Sequence, residues 1–326
     1  MRTLSISGSA FFSAILIATT AQAQFDAKPV GEGGTQLGKA ATQRWEFGVI
    51  INAVGGPCAG LFGTIPVPAD WPEQQVKVVN EQISPNVRRT SYRTIDGLTQ
   101  LLYDVPQLPA GETATCLITF EVTKSAQTAP LNPSGLIIPK DPPRDVRKCL
   151  GASPYIESTN AKIRSLAKEM TAGKEGAWAQ VEALCDGVRE RVKFEPENRD
   201  VFKGALDALR DGKADKEDMT ALFVALCRAH KVPARTVWVL DFCYAEFYLE
   251  DAAADGKAAK GYWIPCQVHD QKQFGAMNDQ RPILQKGDNF KVPEKKEPQR
   301  FVAEFLTGKG GTGGQPQVEF RRRLEN

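Results

Sequence analysis

Residues 215–230, DKEDMTALFVALCRAH, constrain the fold more than any other stretch of this 326-residue chain. Asp215 can cap a helix there, with Asp218 at the capping-box position and Glu217 in the first turn, where acidic groups suit the helix dipole. The interior, Met219, Ala221, Leu222, Phe223, Val224, Ala225 and Leu226, is apolar nearly all round. Such a helix has no polar face to turn to water, so it belongs in the middle of a domain. Pro233 follows closely and prevents continuation. Strand texture resumes at residues 236–240 and 242–249, and 261–268 follow across an Asp/Ala/Gly-rich loop at 251–260. Centring that loop near Asp255 sets Phe242 opposite Gln267 and Cys243 opposite Cys266. The two pairs point to opposite faces, because strand side chains alternate.

Upstream, the chain divides into two textures. Residues 161–170 and 177–192 place Ile163, Leu166, Val181, Leu184, Cys185 and Val188 three and four apart, the mark of amphipathic helices. A short helix at 205–209 ends at Gly212. Residues 45–122 lack that period. Strand-like runs at 45–54, 75–83, 98–105 and 113–122 alternate there with Pro, Gly, Asn and Asp. Pro66, Pro68 and Pro72 argue against a central strand and suit an edge or a loop. The pattern predicts an all-β sandwich over 44–127. Gly-, Ala- and Gln-rich residues 24–43 read as a flexible leader, and Pro-rich 128–145 as a linker to a second domain at 146–326. More strands are expected at 282–284, 301–305 and 318–322. The Gly-rich run at 308–314 lacks phosphate-loop spacing and reads as a loop.

The N-terminus predicts export. Met1-Arg2 gives a positive start, residues 10–18 an apolar core, and Ala21-Gln22-Ala23 a small-x-small cleavage site, so residues 1–23 read as a signal peptide. The expected destination is the periplasm or the outside of the cell. No later run reaches 18 apolar residues, so no membrane span is expected after cleavage. With 41 basic and 39 acidic residues the net charge is +2, and the densest basic cluster, Arg321-Arg322-Arg323, sits at the very end. That excludes a field suited to nucleic acid.

Seven cysteines, Cys58, Cys116, Cys149, Cys185, Cys227, Cys243 and Cys266, leave at least one unpaired if the others pair. Cys58 with Cys116, and Cys243 with Cys266, can be disulfides or pairs of buried thiols. There is no CxxC, and His230 and His269 are the only histidines, so no metal or cofactor is expected.

Three blocks then carry a resemblance. Residues 204–235, GALDALRDGKADKEDMTALFVALCRAHKVPAR, precede CYAEFYLE at 243–250 and GYWIP at 261–265. In order and spacing they resemble the transglutaminase-like domains. The resemblance implies an α+β fold with a papain-like transglutaminase core, a buried helix packed on an antiparallel sheet, behind the sandwich. It also implies a triad: a Cys made reactive at the helix N-terminus, a His on the first hairpin strand and an Asp on the second. Those positions hold Lys216, Phe242 and Gln267.

No other residue is placed to substitute. Cys227 lies on the same helix as Lys216, about 16 Å deeper at 1.5 Å per residue. Cys243 and Cys266 point to the other face, and Cys185 fits its own apolar stripe. His230 ends the helix, where a cation is favourable. His269 follows Gln267 by two residues on the same face. Lys216 has a chemical reading, as an amine whose charged form the dipole disfavours. Its plainer reading is a side chain reaching solvent. The expectation is a non-catalytic exported protein. It would bind a protein, peptide or cell-wall partner through the sandwich or a remnant cleft of Lys216, Phe242, Gln267 and His269. The alternatives are an amide-directed hydrolase or acyltransferase working through Lys216 or His269, and a structural assembly module.

Overall fold

The computed structural model describes residues 34–196, 202–252, 259–310 and 314–325. The expected signal peptide, the leader up to residue 33 and most of the 251–260 loop lie outside the described residues.

The first half is strand throughout: β1 Gln36–Val54, β2 Cys58–Val67, β3 Gln74–Ile83, β4 Arg89–Ile95, β5 Leu98–Leu108 and β6 Thr113–Thr128. Two of these, β2 and β4, escape the sequence reading. A short β7, Leu136–Ile137, and helix α1, Arg144–Arg147, follow. Next come helices α2 Ala161–Thr171 and α3 Ala177–Arg191, strand β8 Lys193–Phe194, helix α4 Ala205–Asp211, strand β9 Lys213–Ala214 and helix α5 Lys216–Ala229. The chain closes with β10 Ala234–Val239, β11 Phe242–Asp251, β12 Gly261–Gln267, β13 Gln273–Phe274, β14 Ile283–Lys286, β15 Phe305–Gly310 and β16 Gln315–Glu325.

One sheet runs β16-β1-β6-β3; the other runs β13-β12-β11-β10-β14-β5-β2-β15, with β4 on β5 and β7 on β11. Alternate side chains of β1 (Phe47, Val49, Ile51) and β6 (Ile118, Phe120, Val122) meet Leu61, Ile65, Leu101, Tyr103 and Val105 of β2 and β5 in one apolar core. That is the sandwich. β2 is flanked on both sides, contrary to the edge or loop its prolines suggest, yet its ladder with β15 ends at Thr64. Pro66 therefore faces one neighbour only, where its missing N–H costs least.

Three further expectations change. Residues 36–43, read as leader, form the start of β1 along the end of β6, Gln36 opposite Thr128 and Ala40 opposite Ser125. Their side chains are half-buried or exposed, so backbone pairing holds a strand whose sequence shows no apolar alternation. Within the 128–145 linker, Ile137 pairs with Glu250 of β11. Residues 301–304 are not strand. β15 and β16 return to pair with β2 and β1, so the end of the chain completes both sheets of the sandwich.

In the helical part, every residue from Asp218 to Arg228 of α5 is buried. The helix lies against α2, α3 and α4 and the sheet strands β10 and β11, in a core with Leu166, Val181, Leu184, Val188, Phe247 and Ile264. The α4 helix ends at Gly212, whose φ of 64° is the left-handed conformation glycine supplies without strain. The β11–β12 hairpin is slid by two residues from the sequence expectation: Ala245, not Cys243, faces Cys266. A slide of two keeps every side chain on its expected face.

The two halves meet through β14, which joins β10 to β5 in the long sheet. The junction is polar. Gln74 bonds both backbone groups of Ile283, at 3.0 and 2.7 Å. Lys124 Nζ donates to the Arg281 carbonyl at 2.8 Å. Lys286 Nζ lies 2.6 Å from Glu73 and 2.7 Å from Glu246. Among the described residues no helix is long and apolar enough to cross a membrane.

Candidate functional site

The start of α5 is built as the sequence indicates, with one change. Asp215 caps the helix, its carboxylate accepting the Asp218 N–H at 2.9 Å. The Asp218 carboxylate does not close a capping box. It turns instead to the backbone N–H groups of Lys203 and Gly204, at 3.1 and 3.0 Å, which a bend ahead of α4 leaves without backbone partners. Arg300, which sequence reasoning missed, reaches the same point. Its side chain is fully buried, Nη1 lies 3.3 Å from Asp218 Oδ1, and Nη2 donates to the Glu217 carbonyl. No periodicity marks Arg300. The only sequence cue is a charged residue between Gln299 and the apolar Phe301-Val302 pair.

Of the four candidate cleft residues, three are in contact. The Phe242 ring meets His269 edge-on, centroids 5.1 Å apart, and Phe194 lies 5.5 Å from the same imidazole. Gln267 donates to the His269 carbonyl at 3.3 Å and accepts from Gln273 at 3.0 Å. The slid register thus gives Phe242 His269 as its neighbour, where Gln267 was expected. Arg281 covers the Phe242 ring from 4.6 Å. Lys216 stands at the helix start with Nζ 3.3 Å from Glu217 Oε1, close enough for its charge to act on His269. Phe194, Phe242 and the His269 imidazole thus pack together beside the hairpin.

The nearest thiol is buried as well. Cys243 is fully buried, its Sγ 3.7 Å from Thr220 Oγ1 on α5, and burial pushes its thiol up to about 12, with Glu217 adding to the rise. At neutral pH almost none of it is thiolate, the form that attacks a carbonyl. His269 does not serve it as a base. Its Nε2 lies 2.8 Å from the Cys243 carbonyl, which fixes the proton on Nε2, and Nδ1 is buried without a partner. Burial holds the imidazole below its usual range, so it is neutral at pH 7.

The other thiols are core. Burial raises Cys227 and Cys266 well above the ordinary range, the Cys185 thiol beside Cys266 adding to it. All seven cysteines are free, so neither disulfide considered from sequence is formed. His230 is half-buried between Gln180 and Thr171, and burial disfavours the cation the helix end was expected to hold. Among the described residues no group of three or more His, Cys, Asp or Glu is arranged to hold a metal ion.

Two sets of buried charges hold the core of the domain. Arg228 of α5 pairs with both oxygens of Asp288, at 2.9 and 2.7 Å, and donates to the carbonyls of Ala234 and Gly151. That pins the Pro-Ala-Arg turn to the helix. Arg235 pairs with Glu246 at 2.6 Å and stacks over Trp263 at 4.0 Å. Burial opposes the charge on Glu246, but Lys286 and Arg235 beside it hold its carboxyl below the usual range. Beside α5, Pro154, Tyr155, Phe202 and residues 297–301 line an open groove of about 470 Å³.

Residues 164–268 match the transglutaminase-like superfamily, so this part of the chain is a transglutaminase-like domain. Among solved structures, a candidate cysteine protease from Cytophaga hutchinsonii superposes with a TM-score of 0.56 at 14% identity, covering 88% of this chain and 93% of its own. It shares the fold from the sandwich to the helical core. The periplasmic domain of TgpA from Pseudomonas aeruginosa aligns over 68% of this chain and 87% of its own, at 14% identity and a TM-score of 0.31. The chain matches none of the curated proteins.

Proposed function

We propose that this is an exported protein whose transglutaminase-like domain is catalytically silent and binds a protein, peptide or cell-envelope partner. One observation carries the reading. Lys216, Phe242 and Gln267 stand where amide chemistry needs a thiolate, a base and its orienting carboxylate, and the thiol beside them, Cys243, is protonated and sealed. Nucleophilic catalysis requires the nucleophile and base within hydrogen-bond reach of each other. Here the imidazole bonds a backbone carbonyl instead. With Phe242, Phe194 and His269 packed together, the open groove beside the α5 start offers room for a ligand.

The test uses the purified protein without its signal peptide. It is incubated with a fluorescent primary amine and a glutamine-rich acceptor protein, and separately with an unfolded substrate protein. Amine incorporation and cleavage are expected at the rate of the protein-free blank. Turnover that thiol alkylation or Cys243→Ser abolishes would overturn the reading, and turnover lost in Lys216→Ala would establish a displaced mechanism.

A further inference from the structure

Between β14 and β15 the chain crosses the start of α5 as an irregular strap, residues 287–304. Phe290 and Gln299 bond each other's backbone in both directions at 2.8 Å, closing the strap into a loop. Past that bridge the chain inserts Arg300. Its guanidinium lies 4.7 Å from the Phe202 ring and 5.6 Å from Trp238, with the Asp218 carboxylate and the Glu217 carbonyl as acceptors. Phe301 packs on Trp238 at 5.0 Å, and the Gln285 amide clamps both backbone groups of Val302, at 2.7 and 3.0 Å. Within the loop, Val292 is buried and Glu294 pairs with Arg93 of β4 at 2.8 Å, while cavities border the strap on two sides. The open groove flanks it on the Tyr155 side, and a smaller cavity of about 140 Å³ separates it from Thr64 and Gln100 of the sandwich.

Two aromatic faces, a carboxylate and a carbonyl make a site for a planar cation with several donors. An ammonium fills it poorly, because it has neither the flat face nor the fork. The helix dipole gives a cation no help at this end, so the acceptors and rings must supply the binding. We infer that this is a guanidinium-recognition pocket, that Arg300 is its tethered occupant, and that an extended, arginine-bearing segment of a partner protein competes for it. The inference rests on reading the domain as a binding module. Tethering gives Arg300 a high local concentration, so the strap keeps the pocket shut until a longer peptide also fills the groove beside it.

The experiment titrates a labelled peptide with the sequence of residues 296–303, KEPQRFVA, into Arg300→Ala and into the unaltered protein. Saturable binding to Arg300→Ala is expected, at least about 100-fold weaker in the unaltered protein, where the tethered side chain competes. The same peptide with Lys in place of Arg should bind Arg300→Ala at least about 10-fold more weakly. Equal binding to both proteins, no binding to the variant, or indifference to the Lys exchange would each overturn the inference. Should Arg300→Ala fail to fold, hydrogen exchange on the unaltered protein decides. Amides of residues 290–304 must exchange faster than those of α5, because a strap that opens only with the whole domain cannot yield its pocket. Turnover in the amine-incorporation assay would sink the non-catalytic reading while leaving this titration as it stands, so the two failures are separable.

Discussion

Lys286→Met removes the one ammonium lying between two buried carboxylates. Its Nζ is 2.6 Å from Glu73 and 2.7 Å from Glu246, and all three side chains are at most 2% exposed. Glu246 retains Arg235 at 2.6 Å; Glu73 retains no ion-pair partner among the described residues. Taking one member from a buried pair strands the other charge and costs about 3–5 kcal/mol. Met fills most of the lysine stem, so little of the loss comes from a cavity. The expected result is a drop of that size in unfolding free energy, measured by urea denaturation at pH 7.5 with an unchanged m value. Adding Glu73→Gln removes the stranded charge and should bring the protein back to within about 2 kcal/mol of the parent. A loss below about 1 kcal/mol, or a double variant no better than the single, would refute the claim that this network holds the two halves together.

The remaining predictions concern other buried groups. Burial lowers Lys124 from 10.5 to about 8. The folded state then sheds its proton before the unfolded chain does, and stability should rise between pH 8 and pH 10 by up to about 3 kcal/mol. Lys124→Met should flatten that rise in denaturation midpoints taken across the same range. Gly97→Ala places a Cβ 1.8 Å from the Lys286 carbonyl at a φ of +75°, so its melting temperature should fall by an amount equivalent to more than about 2 kcal/mol. Thiol titration without reductant should count seven reactive cysteines in denaturant, and at most the half-buried Cys149 in the native state; a lower denatured count would reveal a disulfide. His230 and His269 are both held below their usual range, so the unfolded chain takes up protons first as pH falls. Stability should therefore drop below about pH 6.5, and less so in His269→Gln, by denaturation at pH 7 and pH 5.

The sequence discloses those parts of the fold in which side chains must be sorted between core and water. Helix α5 is legible because its apolar surface is continuous, and Asp215 because a cap has a fixed chemistry. Residues 36–43 are illegible for the opposite reason: their strand is held by backbone pairs with β6 while most of its side chains remain partly or fully exposed. β15 and β16 pair with strands more than two hundred residues earlier, and no local pattern carries that partnership. The hairpin pairs two residues away from the register that the loop's composition predicts, and an offset of two leaves the alternation of faces intact. The offset still matters to the site, because it makes His269 instead of Gln267 the neighbour of Phe242. Arg300 needed the tertiary structure, because its partners lie on α5, on β10 and ahead of α4.

The charge framework and the candidate cleft residues Lys216 and Phe242 also stand under different physical constraints. Lys216 lies at a helix start with a quarter of its side chain exposed, and Phe242 begins a strand, half-buried. Substitutions at such places change chemistry at little cost in stability. Arg228, Asp288 and Lys286 are buried and paired, and losing any one leaves a buried opposite charge alone at several kcal/mol. Lys216 and Phe242 can therefore be exchanged at little cost in stability, while the buried charges that hold the Pro-Ala-Arg turn and the hairpin cannot be dropped singly. The blocks that make the family resemblance legible are thus the ones stability protects. A fold match in this chain accordingly speaks for the scaffold, and the side chains at 216, 242 and 267 speak for the chemistry.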